Sequence, residues 1–202
     1  MKILTSWDDG NKLDFKTVEL LKKYKLPGIF FIPNYSSYTN MLTSDIRTLV
    51  KYGFEVGGHT KTHSQDLKRL TDSKQRYEIV SNKHWLENIL GKSIKWFCYP
   101  RGRYNEKTME IVKEAGYKYA RTTLVGYYKE PENNYRFHPS VHAYPDRKEY
   151  EGKDWVDYAI DMFLKAKEVD GIFHLWGHSW EVEAYDLWRD LETIFRFINK
   201  NK

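Results

Sequence analysis

The feature that most constrains this chain is a sustained alternation of short β-favouring runs with amphipathic helical stretches. Lys2 to Trp7 reads as a strand ending at Asp-Asp-Gly, and a helix follows from Asp14 with Phe15, Val18, Leu20 and Leu21 on one stripe. Gly28 to Ile32 is the next strand. A helix capped by Thr43 or Ser44 then carries Ile46, Leu49 and Val50 and ends at Gly53. Phe54–Val56, Ile94–Cys98, Tyr117–Arg121 and Gly171–Trp176 are predicted strands. Between and after them lie helices at Asp72–Leu90, Asn105–Ala115, Asp154–Glu168 and Ala184–Asn199. Leu124–Gly152 is the least regular stretch, with one short strand near Phe137–His142. Alternation of this kind requires parallel strands with helices outside them. About seven such units in 202 residues point to an α/β barrel, closed or incomplete. Without repeats, low-complexity tracts or linkers, residues 1–202 are expected to form a single domain.

Composition excludes several function classes. The net charge of +5 is spread over 33 basic and 28 acidic residues with no basic run, so nucleic acid is not an expected partner. The single cysteine, Cys98, rules out an intrachain disulfide. No stretch approaches the roughly 18 apolar residues a membrane span requires, and the first residues are too short an apolar run for a signal peptide. A cytoplasmic location is therefore expected, or an extracytoplasmic one if a leader has been removed. Seven Trp and sixteen Tyr are an unusual load; most should fill core, and any left exposed suit sugar rings. The Tyr-rich Leu124–Gly152 stretch is the candidate specificity loop.

The chemically distinctive residues fall at strand ends. Asp8-Asp9-Gly10 follows the first strand, His59 and His63 the third, Tyr99-Pro100-Arg101-Gly102 the fourth, and His178 the last. Parallel α/β folds build sites on the face that all strand carboxyl ends share, so these groups should converge. Adjacent Asp8 and Asp9 point to opposite sides of a strand end, allowing one to bind metal and the other to move a proton. The i, i+4 spacing of His59 and His63 would bring two imidazoles onto one face of a helical turn. No Glu follows His59, so the zinc-metalloprotease pattern is absent. Two histidines and a carboxylate leave a coordination position open, as a catalytic ion needs.

These residues resemble the motifs of the polysaccharide deacetylases (the NodB homology domain of carbohydrate esterase family four). Ser6-Trp7-Asp8-Asp9-Gly10 resembles their first motif, Thr-Phe-Asp-Asp-Gly, and His59-Thr60-Lys61-Thr62-His63 resembles the second, His-(Ser/Thr)-x-x-His. Tyr99–Gly102 and Phe173–His178 resemble the third and last. The resemblance implies a distorted (β/α) barrel of about seven parallel strands and a metal-dependent hydrolase that removes N-linked or O-linked acetyl groups from a carbohydrate. It implies a divalent ion, zinc being expected, on Asp9, His59 and His63. It also implies Asp8 as general base, the Arg101 backbone N–H as oxyanion donor, and His178 as general acid. His174 shares a strand face with His178 but lies deeper, where a hydrogen-bonded core histidine is expected. The implied partner is an N-acetylated sugar or glycan.

Two departures stand out. The family's third motif supplies an arginine that orients the base; Cys98 and Tyr99 occupy that region, leaving Arg101 or Arg103 to substitute. The fourth-motif Asp that supports the acid is replaced by Arg121-Thr122-Thr123, leaving Trp176, Trp180 or Glu181 to fill its role. Two alternatives are a small-molecule C–N hydrolase of the cyclic imide or ureide type and a non-catalytic carbohydrate-binding relative.

Overall fold

The computed structural model describes residues 1–202. Its strands are β1 (Lys2–Asp8), β2 (Ile29–Ile32), β3 (Glu55–Gly58), β4 (Trp96–Cys98), β5 (Tyr119–Arg121), β6 (Val141–His142) and β7 (Ile172–Gly177). All pair in parallel in the order β5-β4-β3-β2-β1-β7-β6. Every connection between successive strands except β5–β6 carries helix: α1 (Asp14–Lys23), α2 (Thr43–Lys51), α3 (Asp72–Leu90), α4 (Glu106–Glu114) and α5 (Trp155–Glu168). The chain closes with α6 (Ser179–Ala184) and α7 (Trp188–Asn201). No helix is long and apolar enough to cross a membrane.

The expected distorted barrel is present as a curled sheet of seven parallel strands. One irregular stretch draws its two edges together. Ala120 N–H donates to Asn134 O and Phe137 N–H to Ala120 O, while Ser140 N–H and Ala143 N–H donate to His174 O and Trp176 O. Residues 134–143 thus pair first with β5 and then with β7. That explains why the strand expected at Phe137–His142 survives as only Val141–His142, with Phe137 as an isolated bridge to Arg121.

Strand alternation sorts the side chains into two apolar clusters. A cluster of 40 buried residues lies between sheet and helices, including Val18, Ile46, Leu86, Phe163 and Phe195. A cluster of seven contains no helical residue: Leu4, Ile29, Phe31, Trp96, Cys98, Phe137 and Ile172 fill the concave side. Trp7 faces outward, edge-on to Phe195 of α7, so its neighbours Ser6 and Asp8 face the interior.

Several boundaries differ from the sequence expectation, three of them for a visible reason. The closing helix expected from Ala184 begins only at Trp188, and Ala184 instead ends a short helix that was not expected: Asp186 takes φ +54°, and Leu187 N–H returns to Val182 O, so α6 and α7 are separate. At the start of α2, Leu42 is the N-cap and the Asp45 carboxylate accepts its N–H at 2.8 Å; no Thr43 or Ser44 hydroxyl caps the helix. β4 begins at Trp96 because Glu87 draws Ile94 N–H (3.1 Å) toward α3.

The register aligns the strand ends on one rim. Asp8 lies opposite Phe31, Ile32 opposite Gly58, Gly58 opposite Phe97, Cys98 opposite Arg121, and Trp7 opposite Gly177. Gly58 permits a close approach on that rim. A Cβ there would fall 2.1 Å from the buried Tyr117 Oη and 2.9 Å from Asn82 Oδ1. Gly58→Ala is therefore expected to destabilise the fold by about 1–3 kcal/mol, measurable by denaturant unfolding; unchanged stability would show that the rim yields there.

Candidate active site

Loop geometry, not a helical turn, brings His59 and His63 together. Residues 59–64 form no helix, and Thr60 and His63 adopt φ +66° and +49°. The loop is clamped by Glu78 of α3, whose carboxylate accepts from Thr62 N–H and Thr62 Oγ1, each at 2.8 Å, and whose carbonyl accepts from Lys61 N–H. Asn82, one turn along, accepts His59 N–H at 2.8 Å and donates to Ile32 O and Asn34 Oδ1. The i, i+4 spacing was a sound pointer to paired imidazoles, but left-handed residues and a helix-borne carboxylate achieve the pairing.

Asp9 meets both histidines. Its Oδ1 lies 3.7 Å from His59 Nε2 and 3.4 Å from His63 Nε2. Asp9 has φ +79°, an uncommon conformation for a residue with a side chain, and its own carbonyl accepts from Thr39 Oγ1 at 2.7 Å. Trp180 Nε1–H donates to Asp9 Oδ2 at 3.0 Å, and Tyr38 stacks on Trp180 with ring centroids 4.1 Å apart.

Asp9 Oδ1 is buried and has no hydrogen-bond partner. His59 Nδ1 lies 2.9 Å from Cys98 O, which can only accept; the proton therefore sits on Nδ1 and the Nε2 lone pair faces Asp9. Burial lowers the His59 pKa to about 4 and also lowers that of His63, favouring neutral imidazoles. An orphaned carboxylate oxygen facing two neutral imidazoles is a donor set suited to a divalent cation.

Asp8 has a different environment. Its Oδ2 accepts from Arg121 Nη2, a buried pair. Burial would raise the Asp8 pKa, but the Arg121 charge, the nearby His59 and His178 and the Arg121 hydrogen bond together outweigh it and hold the carboxyl well below the usual carboxylate range. Arg121 is fully buried; it also donates to Thr122 O (3.0 Å) and lies 4.4 Å from the Trp176 ring and 5.3 Å from the Phe31 ring. Cation–π contacts of this kind help a guanidinium tolerate loss of water. The expectation that Arg101 or Arg103 would orient Asp8 is corrected: the arginine arrives from β5, one strand beyond the third motif. An arginine ending the strand expected at Tyr117–Arg121 was the available signal, since unpaired charges are rarely buried.

His178 faces both acids from across the cleft. Its Nε2 is 4.0 Å from Asp8 Oδ2 and 3.8 Å from Asp9 Oδ2, while its Nδ1 is 2.5 Å from Glu181 Oε2. Burial lowers its pKa, but Glu181, Asp8 and Asp9 outweigh that and raise it to about 9. Of the three candidates for supporting His178, Glu181 makes the hydrogen bond. His174 sits below, fully buried, with Nε2 2.9 Å from Ser6 Oγ, and it does not line the cleft.

Asp8, Asp9, His59, His63, Arg101 and His178 all line one open cleft of about 180 Å³, with Tyr38, Thr123, Trp176, Trp180 and Glu181 completing it. Arg101 turns into it at φ +55° within Pro100–Gly102. Of the Leu124–Gly152 stretch, none lines this cleft. Residues 126–133 and 136–138 line a separate, larger one of about 490 Å³.

The family model for polysaccharide deacetylase matches residues 2–120, which carry both Asp8-Asp9 and His59–His63. The chain belongs to the polysaccharide deacetylase family. The Bacillus subtilis polysaccharide deacetylase family protein YxkH is 28% identical over 139 residues, 67% of this chain and 50% of that protein. The chain spans about half the length of the curated relatives it matches. Among solved structures, the Streptococcus pyogenes deacetylase PplD in complex with acetate has a TM-score of 0.58 and 25% identity, covering 66% of this chain and 62% of that one. The Bacillus anthracis polysaccharide deacetylase-family pseudoenzyme BA3943 has a TM-score of 0.64 and 15% identity, covering 98% and 60%. That last likeness is one of fold alone. A shared polysaccharide deacetylase fold leaves the chemistry to be argued from the side chains in the cleft.

Proposed function

We propose that the protein is a metal-dependent hydrolase that removes acetyl groups, chiefly N-linked ones, from a carbohydrate. The observation that carries this reading is the division of labour between two adjacent carboxylates: each keeps one oxygen without a hydrogen-bond partner, but Asp8 is paired with Arg121 whereas Asp9 turns its free Oδ1 toward two imidazoles. Asp9, His59 and His63 hold a divalent cation, assigned as zinc from the two-imidazole, one-carboxylate set, which when bound polarises a carbonyl and lowers the pKa of water.

The remaining work falls to the chain's own groups. Asp8, kept ionised by Arg121, accepts the proton of the attacking water. The Arg101 backbone N–H donates to the carbonyl oxygen as it gains charge, a contribution of about 3–4 kcal/mol for a well-placed donor. His178 carries its proton on Nε2, toward the cleft, because Glu181 takes the Nδ1–H; it protonates the departing nitrogen. Acetate and a free amine result. An open cleft of about 180 Å³ fits an acetamido group with part of its sugar, leaving the rest of a glycan on the rim. Acetate bound to PplD is in keeping with this product.

Metal dependence is tested by chelation. Stripped protein should release no acetate from N-acetylated oligosaccharides, and one zinc per chain should restore release; activity that survives chelation would overturn the reading. Glu78→Ala should act on the same centre from a distance. Loss of both Thr62 hydrogen bonds frees the His63 loop, and zinc affinity should fall about 10–100-fold, read by competition with a chromogenic chelator. Unchanged affinity would show that the loop holds its shape unaided.

A further inference from the structure

His142, at the end of β6, lies outside the cleft but is bound into the support of His178. Its Nε2 is 3.0 Å from Glu181 Oε2, the same oxygen that meets His178 Nδ1 at 2.5 Å. Its Nδ1 is 3.2 Å from Arg147 Nη1. A guanidinium can only donate, so Nδ1 is the acceptor and the imidazole proton is on Nε2, directed at Glu181. Arg147 is itself held, with Nε and Nη2 on the two Glu149 carboxylate oxygens at 3.2 and 3.1 Å and Nη2 3.4 Å from Thr123 O.

The ring has little freedom. It stacks on Trp176 with centroids 3.8 Å apart and planes 6° from parallel, and on Tyr144 at 5.3 Å and 9°. Tyr150 Oη donates to His142 O at 2.5 Å and accepts His142 N–H at 3.2 Å, fixing the backbone as well. A core histidine needs only satisfied nitrogens. This one has its tautomer, plane and backbone each set by a different neighbour, and all three aim one N–H at the carboxylate that orients His178.

We infer that His142 and Arg147 are positioning residues for the proton-donating half of the reaction, holding Glu181 so that His178 presents Nε2–H to the leaving nitrogen. The inference rests on the deacetylase reading above, and it gives part of the Leu124–Gly152 stretch a role in catalysis. A device that serves leaving-group protonation matters when an amine departs and little when a nitrophenolate does, because nitrophenolate leaves without a proton.

The test uses zinc-loaded protein with tetra-N-acetylchitotetraose and 4-nitrophenyl acetate. His142→Phe keeps an aromatic ring against Trp176 and removes the donor, whereas in His142→Gln the amide N–H can stand in for Nε2–H. The inference expects kcat on the sugar amide to fall at least tenfold in His142→Phe with KM little changed. It expects the Gln variant to recover most of that loss, and ester hydrolysis to change less than threefold. Arg147→Met should follow the Phe variant more weakly. Amide turnover by His142→Phe equal to wild type would overturn the inference, as would equal losses on both substrates without rescue by Gln. If the wild type refuses the ester, the Phe and Gln comparison on the amide decides alone. Failure of the wild type on both substrates would instead count against the deacetylase reading.

Discussion

Asp8→Asn is expected to lower acetate release at least a thousandfold while zinc still binds. The magnitude follows from removing a general base, worth about 10²–10⁴-fold, in a cleft that offers no second free carboxylate for the attacking water: Asp9 faces His59 and His63, and Glu181 is shared by His178 and His142. Zinc binding should persist because Asp9, His59 and His63 are untouched. The fold should persist at reduced stability, since Arg121 loses its counter-charge but the Asn carbonyl oxygen can still accept from it. Parallel measurement of acetate by coupled assay and of zinc by mass spectrometry checks both halves. Retained turnover would remove Asp8 from the mechanism, and loss of zinc would make it a ligand.

Arg121→Met should damage stability and turnover together. Breaking a buried ion pair strands the surviving charge, at a cost of about 3–5 kcal/mol. The sign with pH can be worked out from the Asp8 pKa. In the folded wild type that pKa lies below its unfolded value, so its contribution to stability is present above the unfolded pKa and is lost as pH falls through the folded one. Without Arg121, burial is the dominant influence and drives the folded pKa upward. The variant's stability deficit should then be largest near neutral pH, where Asp8 is a buried unpaired charge, and shrink as pH falls and Asp8 is protonated. Its base is lost at less acidic pH than in the wild type, moving the acid limb of the rate profile toward neutrality. Denaturant unfolding and rate profiles from pH 4 to 8 would detect both effects. An unmoved acid limb would show that Arg121 does not set the ionisation of Asp8.

The sequence was most legible where local rules and global topology agree. Alternating periodicity predicted every strand and its order along the chain, and strand-end placement brought Asp8, Asp9, His59, His63, Arg101 and His178 to one cleft. Gly91 at φ +64° ends α3 as a left-handed cap should. What was not legible depends on pairs distant in sequence. Arg121 is 113 residues from Asp8, and its role rests on the β4–β5 register opposing it to Cys98. Glu78 reaches Thr62 only because α3 packs behind β3, and nothing near the histidines in sequence announces it. His142 ends the short strand expected near Phe137–His142, but nothing local announces its link to Glu181, 39 residues further along the chain. The short helix α6 and the late start of α7 escaped because the left-handed aspartate between them, unlike glycine, leaves little mark in sequence.

The most direct measurement is acetate released by the zinc-loaded protein from N-acetylated chito-oligosaccharides, set beside hydrolysis of a cyclic imide such as succinimide. Stoichiometric acetate and free amine from the sugars, absent in Asp8→Asn and with the imide untouched, is the predicted result. Ring-opening of the imide with no acetate from any sugar would contradict the account, keeping the family and the metal centre but replacing the substrate.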